Sequence, residues 1–422
     1  MTQAGHWPLI KLGDVAEFRN GINYTKKNFG RGIKVVGVSD FQDRLFPRCE
    51  ELEEINPEGI VKNEDLLQPE DILFVRSNGN RQLIGRSLYL PSISDRLTHS
   101  AFTIRVRLVS DRVIPRFYAY VFRTRLIRDT LSAFGGGTNI SNLNQAILSS
   151  LLVPLPHVDA QRKIAGILSA YDDLIENNRR RIEILEEMAR RIYREWFVEF
   201  RFPGHENVKF VDSALGKIPE GWEAHTLGDL ALQERRGVRP NEIAPGTPYV
   251  GLEHLPRRSI ALTEWDLAEN VGSNKYRFVR GEILFGKIRP YFHKVSVAPI
   301  DGVCSTDAIV IRPKTARHFP LVLACVSSDE FVEYSVKTSN GTKMPRANWD
   351  VLVKYPVFEP PDPLLDRFNE FVRDSVSSIH NLVSRNRNLQ KTRDLLLPRL
   401  IAGTLDVSDL PIDTGADDAD GT

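Results

Sequence analysis

The stretch "IAGILSAYDDLIENNRRRIEILEEMARRIYREW", residues 164–196, sets the architecture of this 422-residue chain. Ile164, Leu168, Tyr171, Ile175, Asn178, Ile182, Leu185, Ala189, Ile192 and Trp196 step by four and three without a break. That spacing is the apolar seam of a coiled coil. A helix covering 160 to about 200 would be roughly 60 Å long at the usual rise, too long to pack on one small domain, so it requires a partner. The chain supplies one. In "FNEFVRDSVSSIHNLVSRNRNLQKTRDLLLPRL", residues 368–400, the same step recurs at Phe368, Val372, Ser375, Ile379, Leu382, Asn386, Leu389, Arg393, Leu396 and Leu400, interrupted only by Pro398.

Each seam carries a single asparagine, and an amide among Leu and Ile is costly unless it meets another polar group. Placing Asn178 against Asn386 in an antiparallel pair makes facing residue numbers add to 178 + 386 = 564. The other layers follow as Ile164/Leu400, Leu168/Leu396, Tyr171/Arg393, Ile175/Leu389, Ile182/Leu382, Leu185/Ile379, Ala189/Ser375, Ile192/Val372 and Trp196/Phe368, seven of these nine apolar on both sides. Parallel pairing at the offset of the repeat described next would set Asn178 against Leu382 and strand the amide at a cost of about 1–3 kcal/mol.

Outward from the helices, the chain repeats itself. "FGGGTNISNLNQ" (134–145) precedes the first helix and "SNGTKMPRANWD" (339–350) the second, each with an Asn six residues after its Thr, Asn144 and Asn348. "KLGDVAEFRNG" is matched by "TLGDLALQERRG", "IKVVGVSDF" by "TPYVGLEHL", "PEDILFVRSNGN" by "RGEILFGKIRPY", and "HSAFTIRV" by "STDAIVIRP", always in the same order. The offset drifts from 228 − 13 = 215 at Gly13/Gly228, through 282 − 71 = 211 at Asp71/Glu282 and 311 − 104 = 207 at Ile104/Ile311, to 341 − 137 = 204 at the Gly-Thr turns. Small loop deletions between preserved elements produce such a drift. Short β-branched runs bounded by Gly, Pro and Asn predict strands, and "PRFYAYVFRTRLIRDTLSAF" (115–134), with Pro115 at its start, predicts a helix in the first copy. The expected fold class is α+β: two pseudo-symmetric globular domains separated by two long helices that form an antiparallel coiled coil. The boundaries expected are 1–158 and 203–360 for the domains, 159–202 and 361–404 for the helices, and 405–422 for a disordered acidic tail.

Composition excludes several classes. A 41% hydrophobic, 26% charged chain of this length holds more than one core. Its net charge of +1 announces no polyanion partner, so a nucleic-acid role has to rest on local patches. Three cysteines with no metal-ligand spacing suggest a reduced compartment, and the N-terminus lacks a signal-peptide core; a cytoplasmic protein with no membrane segment is expected. Phosphate-loop, dinucleotide, zinc-protease and serine-nucleophile motifs are all missing, as is the Asn-Pro-Pro-Tyr turn of an adenine methyltransferase. His99 and His293 sit beside predicted strands and read as core or surface residues. Glu53-Glu54 and Asp172-Asp173 read as solvated faces.

Two basic segments remain, one in each copy and each just after the equivalent strand, "DILF" or "EILF". "RSNGNRQLIGR" contains Arg76, Asn78, Asn80, Arg81 and Arg86; "NKYRFVRGEILFGKIRPYFHK" contains Lys275, Lys287, Arg289, Tyr291 and Lys294. Arg and Lys neutralise phosphate or bond guanine edges, Asn pairs with adenine, and Gly lets backbone approach. Thr138, Asn139, Thr342 and Lys343 of the two Gly-Thr turns join these as candidate DNA-binding residues, and no catalytic or metal-binding residue is assigned. The two segments share a scaffold and little else, as two readers of different half-sites would.

Taken in order, "DILFVRSNG", "GEILFGKIRPY", "VPLPHVDAQRKIAGILSAYDDLIE", "WFVEFRFPG", "IPEGWE" and "LLLPRLIAGTL" resemble the specificity subunits of type I restriction-modification systems, over the chain up to about Asp409. The resemblance implies a non-catalytic subunit whose two target recognition domains each read half of a bipartite asymmetric double-stranded DNA site. The helices would set the gap and dock two DNA methyltransferase (modification) subunits, joined by restriction (translocase/nuclease) subunits. S-adenosylmethionine, ATP and magnesium would sit on those partners, with no cofactor in this chain. One departure stands out: the family's "EQ" at the helix start reads Ala160-Gln161 here, and Leu365-Asp366 in the second copy. Two other classes compete: a protein-protein scaffold whose rod spaces two binding domains, and a stand-alone enzyme.

Overall fold

The structure, a computed structural model, describes residues 7–42, 44–77, 83–133, 143–213, 216–341 and 343–411. The chain forms two compact units, residues 1–173 with 390–422, and residues 174–389.

In the first unit a four-stranded antiparallel sheet runs in the order Ala16–Asn20, Thr103–Leu108, Ile72–Val75, Ser87–Tyr89. In the second, Ala231–Glu234, Ala308–Pro313, Ile283–Gly286 and Val295–Val297 repeat that order. The central strand "ILFV" is buried at every position because both its faces are covered. Ile72 and Phe74 join the core under the helices, whereas Leu73 and Val75 face the smaller sheet formed by Glu53–Ile55, Phe29–Val36 and Leu97–His99. Strand Phe29–Val36 runs parallel to Leu97–His99, and its counterpart Pro248–Val250 runs parallel to Gly302–Ser305.

The ladders correct one step of the repeat. Phe74 pairs with Ile104 and Phe285 with Ile309, so Ile104 corresponds to Ile309, an offset of 309 − 104 = 205 in place of 207. A two-residue slip keeps every side chain on its face, and the hydrophobic pattern cannot detect it.

The helical stretch expected from Pro115 is present but breaks in two, Pro115–Val121 and Arg125–Ala133. The second unit has the same pair, Phe319–Val326 and Asp329–Lys337, which the sequence reading did not place. Its signals were Pro320 at the first turn and Ser328, whose hydroxyl caps the second helix by accepting from Phe331 N at 3.1 Å.

The long helices run Val158–Tyr193, followed by a π-helical turn Arg194–Val198, and Asp362–Ile401. Within the second unit Asn178 Nδ2 donates to Asn386 Oδ1 at 2.8 Å, and Asn386 Nδ2 to the Ile175 carbonyl at 3.2 Å. There Trp196 and Phe368 approach with ring centroids 6.4 Å apart. Going from 178 to 196 on one helix takes the contact from 386 to 368 on the other, so this pair is antiparallel with the expected register. Ile182, Ile379 and Leu382 are buried together, with Leu185 packed on them, and Ile192 packs against the core that holds Val372; Ile175 and Leu389 are half-buried. Phe368 also meets Phe197 at 4.6 Å, and Trp222 collects Phe197, Phe200 and Phe202 within 5.6 Å, which gives "WFVEFRF" and "EGW" a shared aromatic core.

Within the first unit Ile164, Leu168 and Leu400 are buried and Leu396 packs against them. The expected Tyr171/Arg393 layer is replaced by an ion pair of Arg393 with Asp172, whose other oxygen accepts from the Tyr120 hydroxyl at 2.6 Å. Asp172 is therefore buried, a correction to its reading as a solvated residue; Asp173 is exposed. A charged seam residue found its partner one position away because a buried guanidinium needs a carboxylate.

Two features at the helix ends also differ from expectation. Pro398 does not end the second helix, which runs on to Ile401 and closes at Gly403 (φ +69°), where a Cβ would lie 2.7 Å from the Trp7 ring. Residues 405–411 are not a disordered tail: Val407 is buried in the first unit's core with Leu405 beside it, and Lys163 holds the Ser408 carbonyl. Residues 412–422 lie outside the described residues.

At the first helix start Ala160 stands for the Glu of the family's "EQ", while Gln161 keeps its Gln and is fully buried and saturated. Its Nε2 donates to the Arg112 and Pro156 carbonyls at 2.8 and 2.9 Å, and its Oε1 accepts from Ile114 N at 2.8 Å. Ile10 pairs with Val153 and His225 with Val357, an offset of 357 − 153 = 204, so Gln161 corresponds to Leu365 and not to Asp366; the second copy has a fully buried leucine in place of this clamp.

Candidate nucleic-acid interface

The two basic segments end their strands in the same backbone clasp. In the first unit Arg76 N donates to the Phe102 carbonyl at 2.8 Å, and the Arg76 carbonyl accepts from Leu143 N, just past the Gly-Thr turn, at 2.9 Å. In the second unit Lys287 N donates to the Asp307 carbonyl at 3.0 Å, and its carbonyl accepts from Ala347 N at 2.8 Å. The correspondence is by position: 287 − 76 = 211, 307 − 102 = 205 and 347 − 143 = 204. The cationic heads match as well. Arg76 Nη1 lies 3.4 Å from the Ala101 carbonyl, and Lys287 Nζ donates to the Thr306 carbonyl at 2.6 Å.

This geometry explains why the turn occurs twice. In each unit a residue shortly after the Gly-Thr pair, Leu143 or Ala347, meets the end of the central strand, and the Asn six residues after each Thr caps the next short helix. Asn144 Oδ1 accepts from Ile147 N at 2.8 Å, and Asn348 Oδ1 from Asp350 N at 3.1 Å. Each capped helix then packs on a repeated "LGD". At Gly13 a Cβ would sit 2.0 Å from Ser149 Oγ, and at Gly228 it would sit 3.0 Å from Val353 Cβ.

In the second unit the clasp brings two separately predicted segments together. Residues 287–289 pair with 345–347 through Arg289 N to the Pro345 carbonyl, Ala347 N to the Lys287 carbonyl, and an antiparallel bridge of Ile288 with Arg346. Arg346 in turn bridges Asn340, closing a loop at Gly341, whose φ of +97° favours glycine. Lys343 and Arg346 are exposed on this loop. Arg289 makes no side-chain hydrogen bond or ion pair among the described residues, which leaves its guanidinium available. Arg289 and His293 hold left-handed backbone angles, φ +50° and +51°, on either side of the turn Pro290–Phe292. Tyr291 is 49% exposed, with its ring edge-on to Phe292 at 4.8 Å, and the Arg257 guanidinium lies 4.1 Å from the Phe292 centroid. A cationic loop edged by aromatic rings suits phosphate and base contact.

Other candidates are placed differently. Lys275 is buried and spends its ammonium on Ser273 O and Oγ, both at 2.7 Å, so it leaves the DNA-facing set. Lys294 holds the Leu252 carbonyl; burial first, and the Arg257 guanidinium second, pull its ammonium below the ordinary lysine value. Arg86 donates to the Gln42 carbonyl and lines a cavity of about 210 Å³ with Arg44, Arg123 and Arg128. A basic residue is equally at home capping a carbonyl of its own domain, and composition alone does not separate the two uses. Asn78, Asn80, Arg81, Thr138, Asn139 and Thr342 lie outside the described residues. His99 and His293 are buried, as core histidines. Among the described residues no cluster of His, Cys, Asp or Glu is placed to hold a metal ion, and no helix is long and apolar enough to cross a membrane.

The duplicated α+β module, each copy paired with a long helix, has counterparts among type I restriction-modification DNA specificity proteins. Residues 5–187 match the family model described as type I restriction modification DNA specificity domain. Over 420 residues the chain is 28% identical to the type I restriction enzyme MjaIX specificity subunit of Methanocaldococcus jannaschii, covering 96% of this chain and 94% of that one. It is 21% identical to the type I restriction enzyme EcoKI specificity subunit of Escherichia coli, over 78% of this chain and 70% of that protein. The crystal structure of the type I restriction-modification S subunit from M. genitalium shares the fold, with a TM-score of 0.57, 14% identity, and 95% and 97% of the two chains covered. Along nearly its whole length the chain is thus similar to a specificity subunit of a type I restriction-modification system.

Proposed function

We propose that each unit reads one half of a split, asymmetric site in double-stranded DNA, through the surface around its clasp. The observation that carries this is the repetition of the clasp with different side chains: the same hydrogen bonds hold Arg76 beside Phe102 in one unit and Lys287 beside Asp307 in the other. A shared frame with unlike tips gives two readers of unlike sequences. In the second unit Arg289, Lys343 and Arg346 supply phosphate contact, and Tyr291 supplies a stacking face. The helix pair sets the spacing between half-sites and docks two modification subunits. Adenine methylation, ATP-driven translocation and cleavage belong to partner subunits that bind S-adenosylmethionine, ATP and magnesium, and this chain acts without a catalytic group of its own, in the cytoplasm.

The test is coexpression of the chain with its modification subunit in a host without other adenine methylation, followed by mapping of modified adenines. A split motif that depends on this chain supports the proposal. Methylation that is the same with and without the chain removes it.

A further inference from the structure

At the tip of the first clasp stands Phe102, in a two-residue turn before the strand Thr103–Leu108. It is 60% exposed, yet its turn is held by several hydrogen bonds. Ala101 N donates to the Ile22 carbonyl at 2.8 Å, Thr103 N and Oγ1 both donate to the Ser100 carbonyl at 2.9 and 2.8 Å, and His99 Nδ1 meets Thr103 Oγ1 at 2.9 Å inside the core. The Phe102 carbonyl receives Arg76 N. A rigid turn therefore holds a large apolar side chain in water, directly beside a cation. Core packing does not explain that placement, because the fold gains nothing from an aromatic ring left in solvent.

Asp307 occupies the same place in the second unit. Its carbonyl receives Lys287 N, and its own amide donates to Ser305 Oγ at 3.2 Å. Its carboxylate stands 3.8 Å from Lys287 Nζ, which is already committed to the Thr306 carbonyl at 2.6 Å. The carboxylate is thus partly exposed and lacks a short ion pair. One frame, two positions 205 residues apart, and opposite chemistry: an apolar ring in one, an acceptor in the other.

We propose that Phe102 and Asp307 are base-specificity determinants of their respective half-sites, Phe102 selecting a thymine through contact with its methyl group and Asp307 selecting a cytosine by accepting from its amino group. Apolar side chains discriminate thymine in the major groove, and Asp or Glu accepts from cytosine N4. Arg76 and Lys287, each pinned to the turn carbonyl next to the reading residue, act as positioning residues for that turn. This inference rests on the DNA-reading function proposed above and assigns the residues that make the two halves differ.

The full chain with Phe102→Leu, Phe102→Asn or Asp307→Asn is coexpressed with the modification subunit, and modified adenines in host genomic DNA are mapped. Phe102→Leu keeps the thymine. Phe102→Asn makes one thymine position of one half-site degenerate, with about tenfold loss of preference and the other half unchanged. Asp307→Asn does the same at a cytosine of the other half. The inference is overturned if the variants keep the wild-type motif, if Leu and Asn behave alike at 102, or if one substitution degrades both halves or abolishes modification. A wild-type chain that directs no split motif would instead remove the DNA-reading function itself.

Discussion

Replacing Asn386 with leucine tests the seam most sharply. Asn178 is 9% exposed, and its Nδ2 donates to Asn386 Oδ1 at 2.8 Å. Leucine at 386 leaves that amide buried without an acceptor, at a cost of about 1–3 kcal/mol. It also frees the Ile175 carbonyl, which a helix satisfies internally, so that loss adds little. The reverse change, Asn178→Leu, costs less, about 1 kcal/mol, because Asn386 Nδ2 keeps the Ile175 carbonyl at 3.2 Å. In the double variant both polar groups are gone and an apolar layer forms between Ile175/Leu389 and Ile182/Leu382, so most of the loss returns. Urea denaturation of the four proteins gives a double-mutant cycle with a coupling energy of about 1–2 kcal/mol. Single variants that each lie within the error of wild type, with additive effects, would refute the pairing.

Three further outcomes follow from buried or strained groups. Glu186 is buried on the first helix, with Oε1 accepting from Ser259 Oγ, Ile260 N and Ala261 N at 2.7, 2.8 and 3.0 Å; burial raises its carboxyl above the ordinary value, and these hydrogen bonds offset part of the rise. Its stabilising effect is therefore fullest below the unfolded value of about 4.3 and declines as pH rises through the folded value. Glu186→Gln, which keeps the accepting oxygen, should remove that decline in a pH series of melting temperatures. Burial, with the Arg105 charge second, pushes His99 down to about 3, and burial with Arg280 pushes His380 down to about 4. Both favour the fold above about 6.5 and lose that contribution, roughly 1.4 kcal/mol per pH unit each, as pH falls below it; His99→Gln should flatten acid unfolding between pH 6 and 4. Gly403→Ala places a Cβ 2.7 Å from the Trp7 ring at φ +69° and should destabilise the first unit by about 1–3 kcal/mol in urea. Arg289→Gln combined with Lys343→Gln should lower the slope of log affinity against log salt by about 2 in duplex binding by the assembled complex.

The asparagine register was legible because a lone amide in an apolar stripe has few places to go, and the structure pairs Asn178 with Asn386. The strand offset was legible only to within two residues, since "TIRV" and "IVIRP" alternate alike. Lys275 and Lys287 look identical in sequence; one is buried on its own backbone and the other stands at a clasp, and burial is a tertiary property. Glu186 gave no signal, because its partners are hydrogen-bond donors about 75 residues away. Phe102 had one available signal: a large apolar residue in a turn whose counterpart in the repeat, once the offset is 205, is an aspartate.

The pseudo-symmetry of the two modules has a direct test. A chain carrying residues 203–404 twice, in place of its own first module and helix, is coexpressed with the modification subunit and its methylated adenines are mapped. The account predicts a symmetric motif in which the second half-site appears twice in opposite orientation. Persistence of the original first half-site in that motif, or the same half-site repeated in one direction, would contradict it.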